Sequence, residues 1–224
     1  MNERSRILLM IWLMTVISLM ITGVTIASLY RTAVQEERRR LVETVQSQAR
    51  IIEAMARFDA LNNDAYRPGG SRGATLAKLN EAHNNYEQAG MTMEVTLAER
   101  NGDWISYLIR HRHGGLEDYL KPISFDSERA VSMRLALSGQ SGSIIAEDYR
   151  GEMVLAAYEP VGELNLGIVA KIDLSEIRAP FIQAGLIAGL FAVAVVGIGA
   201  TLFFRIGTPL LDTIAAQNTE LLHA

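Results

Sequence analysis

The chain has 224 residues, no cysteine and a formal net charge of −4, and 49% of its residues are hydrophobic. The absence of cysteine excludes disulfides and thiolate metal sites, and the absence of a basic patch argues against a nucleic-acid partner. A chain of this length can form one medium-sized domain together with short terminal elements.

Two charge-free apolar runs occupy residues 7–30 and 179–204. Each is longer than the roughly 20 residues that cross a bilayer core as a helix, so we expect two transmembrane helices, with residues 1–6 as a cytoplasmic tail. The first run follows a short basic start, as a signal peptide does. It is too long for one and lacks a small-residue cleavage site, which favours an uncleaved anchor.

The charges that flank the two runs give a mixed signal about orientation. Arg4 and Arg6 precede the first run and Arg205 follows the second, which favours cytoplasmic termini. The arginine triplet at 38–40 argues against this, but long domains cross largely regardless of charge. We therefore expect residues 31–178 to form an extracytoplasmic domain, periplasmic or extracellular, on a bacterial inner membrane.

Helical patterns come first in the chain. Residues 31–60 contain neither Gly nor Pro and carry apolar residues at helical spacing, which predicts one long helix that continues from the first membrane span. The sequence RPGGSRG, 67–73, predicts a break. A second helix is predicted after it, ending at Gly90.

Beyond Gly90 the pattern is that of strands joined by tight turns, with one short helix at 126–138. The five predicted strands are MTMEVTLAE, WISYLIRH, GSIIAEDY, EMVLAAYEPV and NLGIVAKID. Because every connection except the helical one is hairpin-like, we expect an antiparallel sheet with one face covered by the helices. The fold class is therefore α+β.

The last segment, 205–224, is amphipathic. Its regularly spaced positions are Leu210, Ile214, Gln217, Leu221 and Ala224. Alternating spacings of four and three residues are typical of a parallel coiled-coil seam. Two heptads rarely hold together alone, so a surface helix lying at the membrane is the alternative. A polar Gln217 in the seam favours the start of a signalling coil.

The segment 137–181 resembles a single Cache sensor domain. The residues that carry the resemblance are Gly139 and Gly142, the run DYRG followed by VLAAYEPV, and the strand GIVAKID. One departure is Leu166, which stands where members often carry an aromatic residue. The resemblance implies a PAS-like, five-stranded antiparallel sheet with a long N-terminal helix, placed between two transmembrane helices. Such domains occur in bacterial histidine kinases, diguanylate cyclases, nucleotide cyclases and chemoreceptors.

The resemblance also implies a ligand site between the sheet and the covering helices. Aromatic side chains with an Arg or Asp would hold an amino acid, an amine or a carboxylate there. The candidate ligand-binding residues of this chain are Trp104, Tyr107, Arg110, Asp148 and Tyr158. Structural alternatives remain open: packing for Trp104 and Tyr107, and a hairpin-turn contact for Asp148. Arg110 could be a solvated edge charge.

Two other patterns have weaker functional meanings. His111 and His113 share a strand face, but a metal site needs a third ligand and none is evident, so a solvated strand end is favoured. Gly185 and Gly189 form a G-x-x-x-G pattern in the second apolar run, which together with the trailing coil favours a homodimer. No motif indicates a catalytic site or a cofactor.

These patterns predict the input part of a transmembrane receptor. It would sense a small extracytoplasmic ligand and pass the signal to a cytoplasmic output domain of the kinase or cyclase type that is absent from this chain. No phosphoacceptor-histidine box, nucleotide-binding box or GGDEF-like run occurs in the sequence. The alternative is a membrane-anchored interaction or envelope protein that binds a protein partner, for which a broad exposed apolar patch would be the sign.

Overall fold

A computed structural model describes residues 3–61, 70–84, 92–108, 122–202 and 205 of the chain. The chain divides into two compact units. The first combines residues 1–31 with 179–224, and the second is formed by 32–178.

Two long helices carry the apolar runs. Helix α1 spans Glu3–Leu61, so the predicted continuous N-terminal helix is confirmed, and the last helix, Leu174–Leu202, contains residues 179–202 of the second run. Both are long and apolar enough to cross a membrane. Within the first unit, the ring of Tyr30 packs edge-on against Phe181, with 5.5 Å between the ring centroids. Hydroxyl groups in the apolar part of α1 donate to carbonyls four residues earlier, as Thr15 does to Ile11 at 2.8 Å. The hydroxyl hydrogens of these residues are therefore paired within the helix.

The second unit is built on an antiparallel sheet that has six strands in the part of the chain described. They are β1 (Glu94–Asn101), β2 (Trp104–Tyr107), β3 (Ile123–Ser124), β4 (Gly142–Glu147), β5 (Met153–Val161) and β6 (Leu166–Asp173). Their order across the sheet is β3-β2-β1-β6-β5-β4. The unit also contains α2 (Gly70–Asn84) and α3 (Val131–Leu137), and the helix that follows β6 is α4 (Leu174–Leu202).

The five predicted strands correspond to β1, β2, β4, β5 and β6, and two expectations need correction. A sixth strand, β3, was missed because it has only two residues, Ile123 and Ser124, and pairs with β2 at the sheet edge. The predicted break at 67–73 is wrong for its second half, since α2 begins at Gly70. Contacts with α1 stabilise this start in spite of its glycines: the hydroxyl of Thr75 donates to buried Asp59 of α1 at 2.7 Å.

One face of the sheet is covered by α1. Successive residues of a strand point to opposite faces, and Leu97, Leu155 and Ile168 all point toward this helix. On α1, Leu41 and Val45 are fully buried against them. The apolar residues that recur at helical spacing along α1 therefore form one continuous core with the strands, and this core holds the helix to the sheet.

The opposite face is covered in part by α3. Met133 and Ala136 of α3 are buried against side chains of the inner strands, among them Val169. The closest approach occurs at Gly167 of β6. A Cβ atom there would lie 2.9 Å from both the Met133 sulfur and the Ala136 Cβ. The absence of a side chain at this position is what lets α3 pack so close to the sheet.

The Gly167→Ala substitution is expected to lower the free energy of unfolding by about 1–3 kcal/mol, because the new methyl group overpacks this contact. Urea unfolding of the chain in lipid nanodiscs, followed by circular dichroism, measures the effect. Gly162→Ala is the matched control, since the nearest atom to its added Cβ is the flexible end of Glu53 at an ordinary 3.6 Å. Equal losses in the two variants would contradict the close α3 packing.

Candidate functional site

Five charged side chains meet on the sheet face that α3 also covers. We call this group the charged cluster, and its members are Glu94, Asp148, Arg150, Lys171 and Asp173. They come from β1, from β6 and from the turn between β4 and β5. Four of the five are buried, with Arg150 as the most accessible member. Charged side chains are seldom buried unless they are paired, so this arrangement is a specific feature of the domain.

Lys171 is the centre of the cluster. Its side-chain nitrogen lies 3.1 Å from Glu94 Oε2 and 2.8 Å from Asp148 Oδ2, and the residue is only 4% exposed. The same nitrogen lies 3.9 Å from the centroid of the Tyr149 ring. Two carboxylates and an aromatic face thus surround one ammonium group, which is the arrangement that compensates a buried cation.

Arg150 links the turn to the end of β6. Its Nε lies 2.8 Å from Asp148 Oδ2, and its two terminal nitrogens reach the carboxylate of Asp173. Asp173 is the last residue of β6, and α4 begins at the next residue. A single guanidinium therefore connects the β4–β5 turn to the strand end from which α4 continues.

The local sequence explains why Asp148 can serve both the turn and the cluster. Its Oδ1 accepts the backbone N–H of Arg150 at 2.8 Å, which closes a side-chain turn typical of Asp. Gly151 has φ +81°, a left-handed conformation that favours glycine. Because Oδ1 is used by the turn, Oδ2 is left to face Lys171 and Arg150.

Electrostatics favour the ionised form of Asp148 and the neutral forms of Tyr107 and Tyr149. Burial opposes ionisation of Asp148, but the charge of Lys171 and the hydrogen bonds from Lys171 and Arg150 outweigh it, and the pKa of Asp148 is lowered. Burial, and then the carboxylates of Glu94 and Asp148, raise the pKa of Tyr107. Burial and Glu94 likewise raise the pKa of Tyr149. By side-chain type, the cluster combines three carboxylates with two cationic groups.

Two of the predicted ligand-binding residues lie at or beside this cluster. Asp148 belongs to it, and the pKa of Tyr107 responds to Glu94 and Asp148. Tyr158 shares the same sheet face but is buried in the apolar cluster around α3. Trp104 is 52% exposed at the other end of β2 from Tyr107. Tyr107 and Asp148 therefore lie on the sheet face opposite α1, and the ligand pocket that the resemblance implies, between the sheet and its covering helices, stays a prediction.

The remaining candidates fall outside the described residues. Arg110, with His111 and His113, lies in the segment 109–121, and the predicted coil lies in 206–224. Elsewhere in the chain, where the structure describes it, no three His, Cys, Asp or Glu side chains are grouped so that they could hold a metal ion.

Sequence reasoning missed Glu94, Arg150, Lys171 and Asp173 as members of one site. A signal was present in the last strand, LGIVAKID, where Lys171 and Asp173 are two residues apart in an otherwise apolar run. Such residues lie on the same strand face, and charges on a fully buried strand require partners. The sequence does not say which acids supply them, because those acids are distant along the chain.

The comparisons with known proteins find partial structural likeness and no sequence relatives. No model of a known protein family matches the chain, and no curated protein matches it. The extracellular domain of mmHK1S-Z3, a protein assigned as a histidine kinase, is 19% identical over 48% of this chain, with a TM-score of 0.35. The extracellular domain of mmHK1S-Z2, assigned in the same way, is 18% identical over 46%, with a TM-score of 0.31. This chain spans 39% and 38% of the lengths of those two chains.

Proposed function

We propose that this chain is the sensing and membrane-spanning input part of a bacterial transmembrane receptor. Its Cache-like domain, residues 31–178, would lie outside the cytoplasm, and the apolar segments 7–30 and 179–204 would cross the inner membrane. The segment 205–224 would pass the signal, in a homodimer, to an output domain of the histidine kinase or cyclase type. The observation that carries the proposal is the charged cluster, whose Asp173 immediately precedes α4.

The cluster suits a small charged ligand, such as an amino acid, an amine or a carboxylate. It offers carboxylate acceptors, a guanidinium donor and the phenols of Tyr107 and Tyr149 within one group. Arg150, whose side chain is 20% exposed, is the member that a ligand carboxylate can reach most readily. A ligand ammonium would compete instead for Asp148 or Asp173.

Ligand binding can alter the receptor by replacing ion pairs within the charged cluster with ion pairs to the ligand. A ligand that takes Arg150 from Asp173 changes the contact between the β4–β5 turn and the end of β6. A ligand shifts an equilibrium only by its difference in affinity for the two states, and the gain or loss of the Arg150–Asp173 pair supplies such a difference. Because α4 follows Asp173 directly, this change acts at the start of the second apolar helix.

The alternative, a membrane-anchored protein that binds a protein partner, has less support. Outside the apolar runs, the large exposed apolar side chains described are spread over four elements, with three of them on α1. They are Ile51, Phe58 and Leu61 on α1, Trp104 on β2, Ile145 on β4 and Met153 on β5. A docking surface for a protein would be expected to gather such residues into one patch.

Calorimetry on the chain in lipid nanodiscs, titrated with amino acids, amines and small carboxylates, tests the proposal. We expect one class to bind, and Asp148→Asn and Tyr107→Phe to weaken its binding by about tenfold or more, because each removes a charged or polar contact. Asp103→Asn is the matched control, since Asp103 is exposed in the β1–β2 turn. Unchanged binding in both site variants would exclude the cluster as the site, and no binding by any class would contradict the small-ligand receptor.

A further inference from the structure

A cavity with several polar lining residues lies on the α1 side of the sheet, away from the charged cluster. It has a volume of about 420 Å³, within the range of small-molecule sites. Its walls come from the end of α1, the first turn of α2 and the turn between β5 and β6. The polar lining residues are Arg57, Ser71, Arg72, Glu163 and Asn165, and the rest of the wall is Ala and Leu.

Two guanidinium groups from different helices line this cavity. Arg57 of α1 pairs with Glu163 through one terminal nitrogen at 3.1 Å, and Arg72 of α2 pairs with Glu99 through one terminal nitrogen at 2.6 Å. A guanidinium has five N–H donors, so each of these ion pairs leaves donors for another acceptor. Both arginine side chains are about half exposed, so such pairs are weak and can be rearranged at little cost.

The first turn of α2 also lines the cavity and contributes backbone N–H donors there. Ser71 and Arg72 are the second and third residues of this 15-residue helix, where backbone N–H groups have no acceptor within the helix. The macrodipole places partial positive charge at the same end. The first turn of α2 carries no acidic residue that would compensate it.

The two helices that bring the arginines together are fixed to each other. Asp59 of α1 is 1% exposed and accepts hydrogen bonds from Thr75 and Lys78 of α2. Asp59 lies two residues from Arg57, and Thr75 lies three residues from Arg72. The cavity is thus held open between two clamped helices, which reduces the ordering cost of binding.

We propose that this cavity binds a small organic anion through an oxyanion group, a carboxylate or a phosphate. The guanidinium forks of Arg57 and Arg72 match the geometry of such groups, and the hydroxyl of Ser71 can donate as well. The apolar part of the wall, which includes Leu61 and Leu164, suits the carbon skeleton of the ligand. This site is separate from the charged cluster and does not depend on the receptor function.

The test is a binding titration of the full chain in phosphatidylcholine nanodiscs. The probes are succinate, glycerol phosphate and inorganic phosphate, with ethanolamine as a cationic control. We expect succinate or glycerol phosphate to bind, and Arg57→Gln and Arg72→Gln each to weaken that binding by about tenfold, as loss of a charge-assisted hydrogen bond does. The matched control is Arg50→Gln, which removes an exposed arginine of α1 outside the cavity and should leave binding unchanged.

A third variant gives a result that misfolding cannot imitate. Glu163 is the acidic residue of the cavity wall and competes for Arg57, so Glu163→Gln is expected to strengthen anion binding about threefold or more. The proposal is overturned if none of the organic anions binds, or if Arg50→Gln weakens binding as much as the cavity variants. Loss of anion binding in Asp148→Asn alone would move the ligand to the charged cluster and would also overturn it. Preference among the probes separates a carboxylate ligand from a phosphate ligand.

Discussion

The Lys171→Met variant is expected to lose about 3–5 kcal/mol of unfolding free energy at neutral pH, the usual loss when one partner of a buried ion pair is removed. Lys171 is 4% exposed, and its nitrogen is the cation that Glu94 and Asp148 share. Methionine fills a similar volume, so the loss of unfolding free energy measures the cost of leaving Glu94 and Asp148 buried without their cation. Urea unfolding in nanodiscs, followed by circular dichroism, measures it.

An exposed pair supplies the control for this substitution. Arg39 pairs with Glu36 at 2.6 Å on the outer surface of α1, with both side chains about two-thirds exposed. We expect Arg39→Met to change stability by less than about 1 kcal/mol. If Lys171→Met were equally mild, the charged cluster would not be a dry, tightly paired site, and the ligand site proposed there would lose its physical basis.

The pH dependence of stability in the native chain and in Lys171→Met gives a second check on the prediction for Lys171. Because the folded pKa of Asp148 is lowered, this carboxyl stabilises the native chain above its unfolded pKa of about 3.9. That contribution is lost as the pH falls through the lower folded value. In Lys171→Met, only Arg150 still opposes the effect of burial on Asp148, so the folded pKa of Asp148 is higher than in the native chain. Protonation of Asp148 then removes the cost of a buried carboxylate that has lost its cation. The stability difference between native and variant chains should therefore narrow as the pH falls toward 4.

Local signals made the strands predictable. Alternating or continuous apolar runs between turn residues located β1, β5 and β6, and Gly151 marked a turn that needs a left-handed residue. β3 had no such signal, because two residues cannot show a period. The start of α2 depends on Asp59, more than ten residues earlier, so local propensity could not place it.

The candidate site was predictable only in part, for the same physical reason. Asp148 was among the predicted ligand-binding residues, and the structure places it near Tyr107, another of them. The partner that decides its chemistry, Lys171, is 23 residues away and is brought close by the pairing of β5 with β6. Register across a sheet depends on all its strands at once, which no single segment encodes.

The Leu155→Ala variant is expected to lose about 2–5 kcal/mol of unfolding free energy, because Leu155, near the start of β5, is fully buried under α1. Its neighbour in register on β4 is Ile145, which lies on the same sheet face and is 39% exposed. Ile145→Ala removes a side chain of the same size from an adjacent position, so we expect a loss below about 1 kcal/mol. The same urea unfolding experiment compares the two variants.

Equal losses would mean that Ile145 is covered in the assembled protein, as a second copy packed against the β4 edge would cover it. A small loss for Ile145 with a large one for Leu155 would leave that edge exposed and direct the search for a homodimer contact to other surfaces.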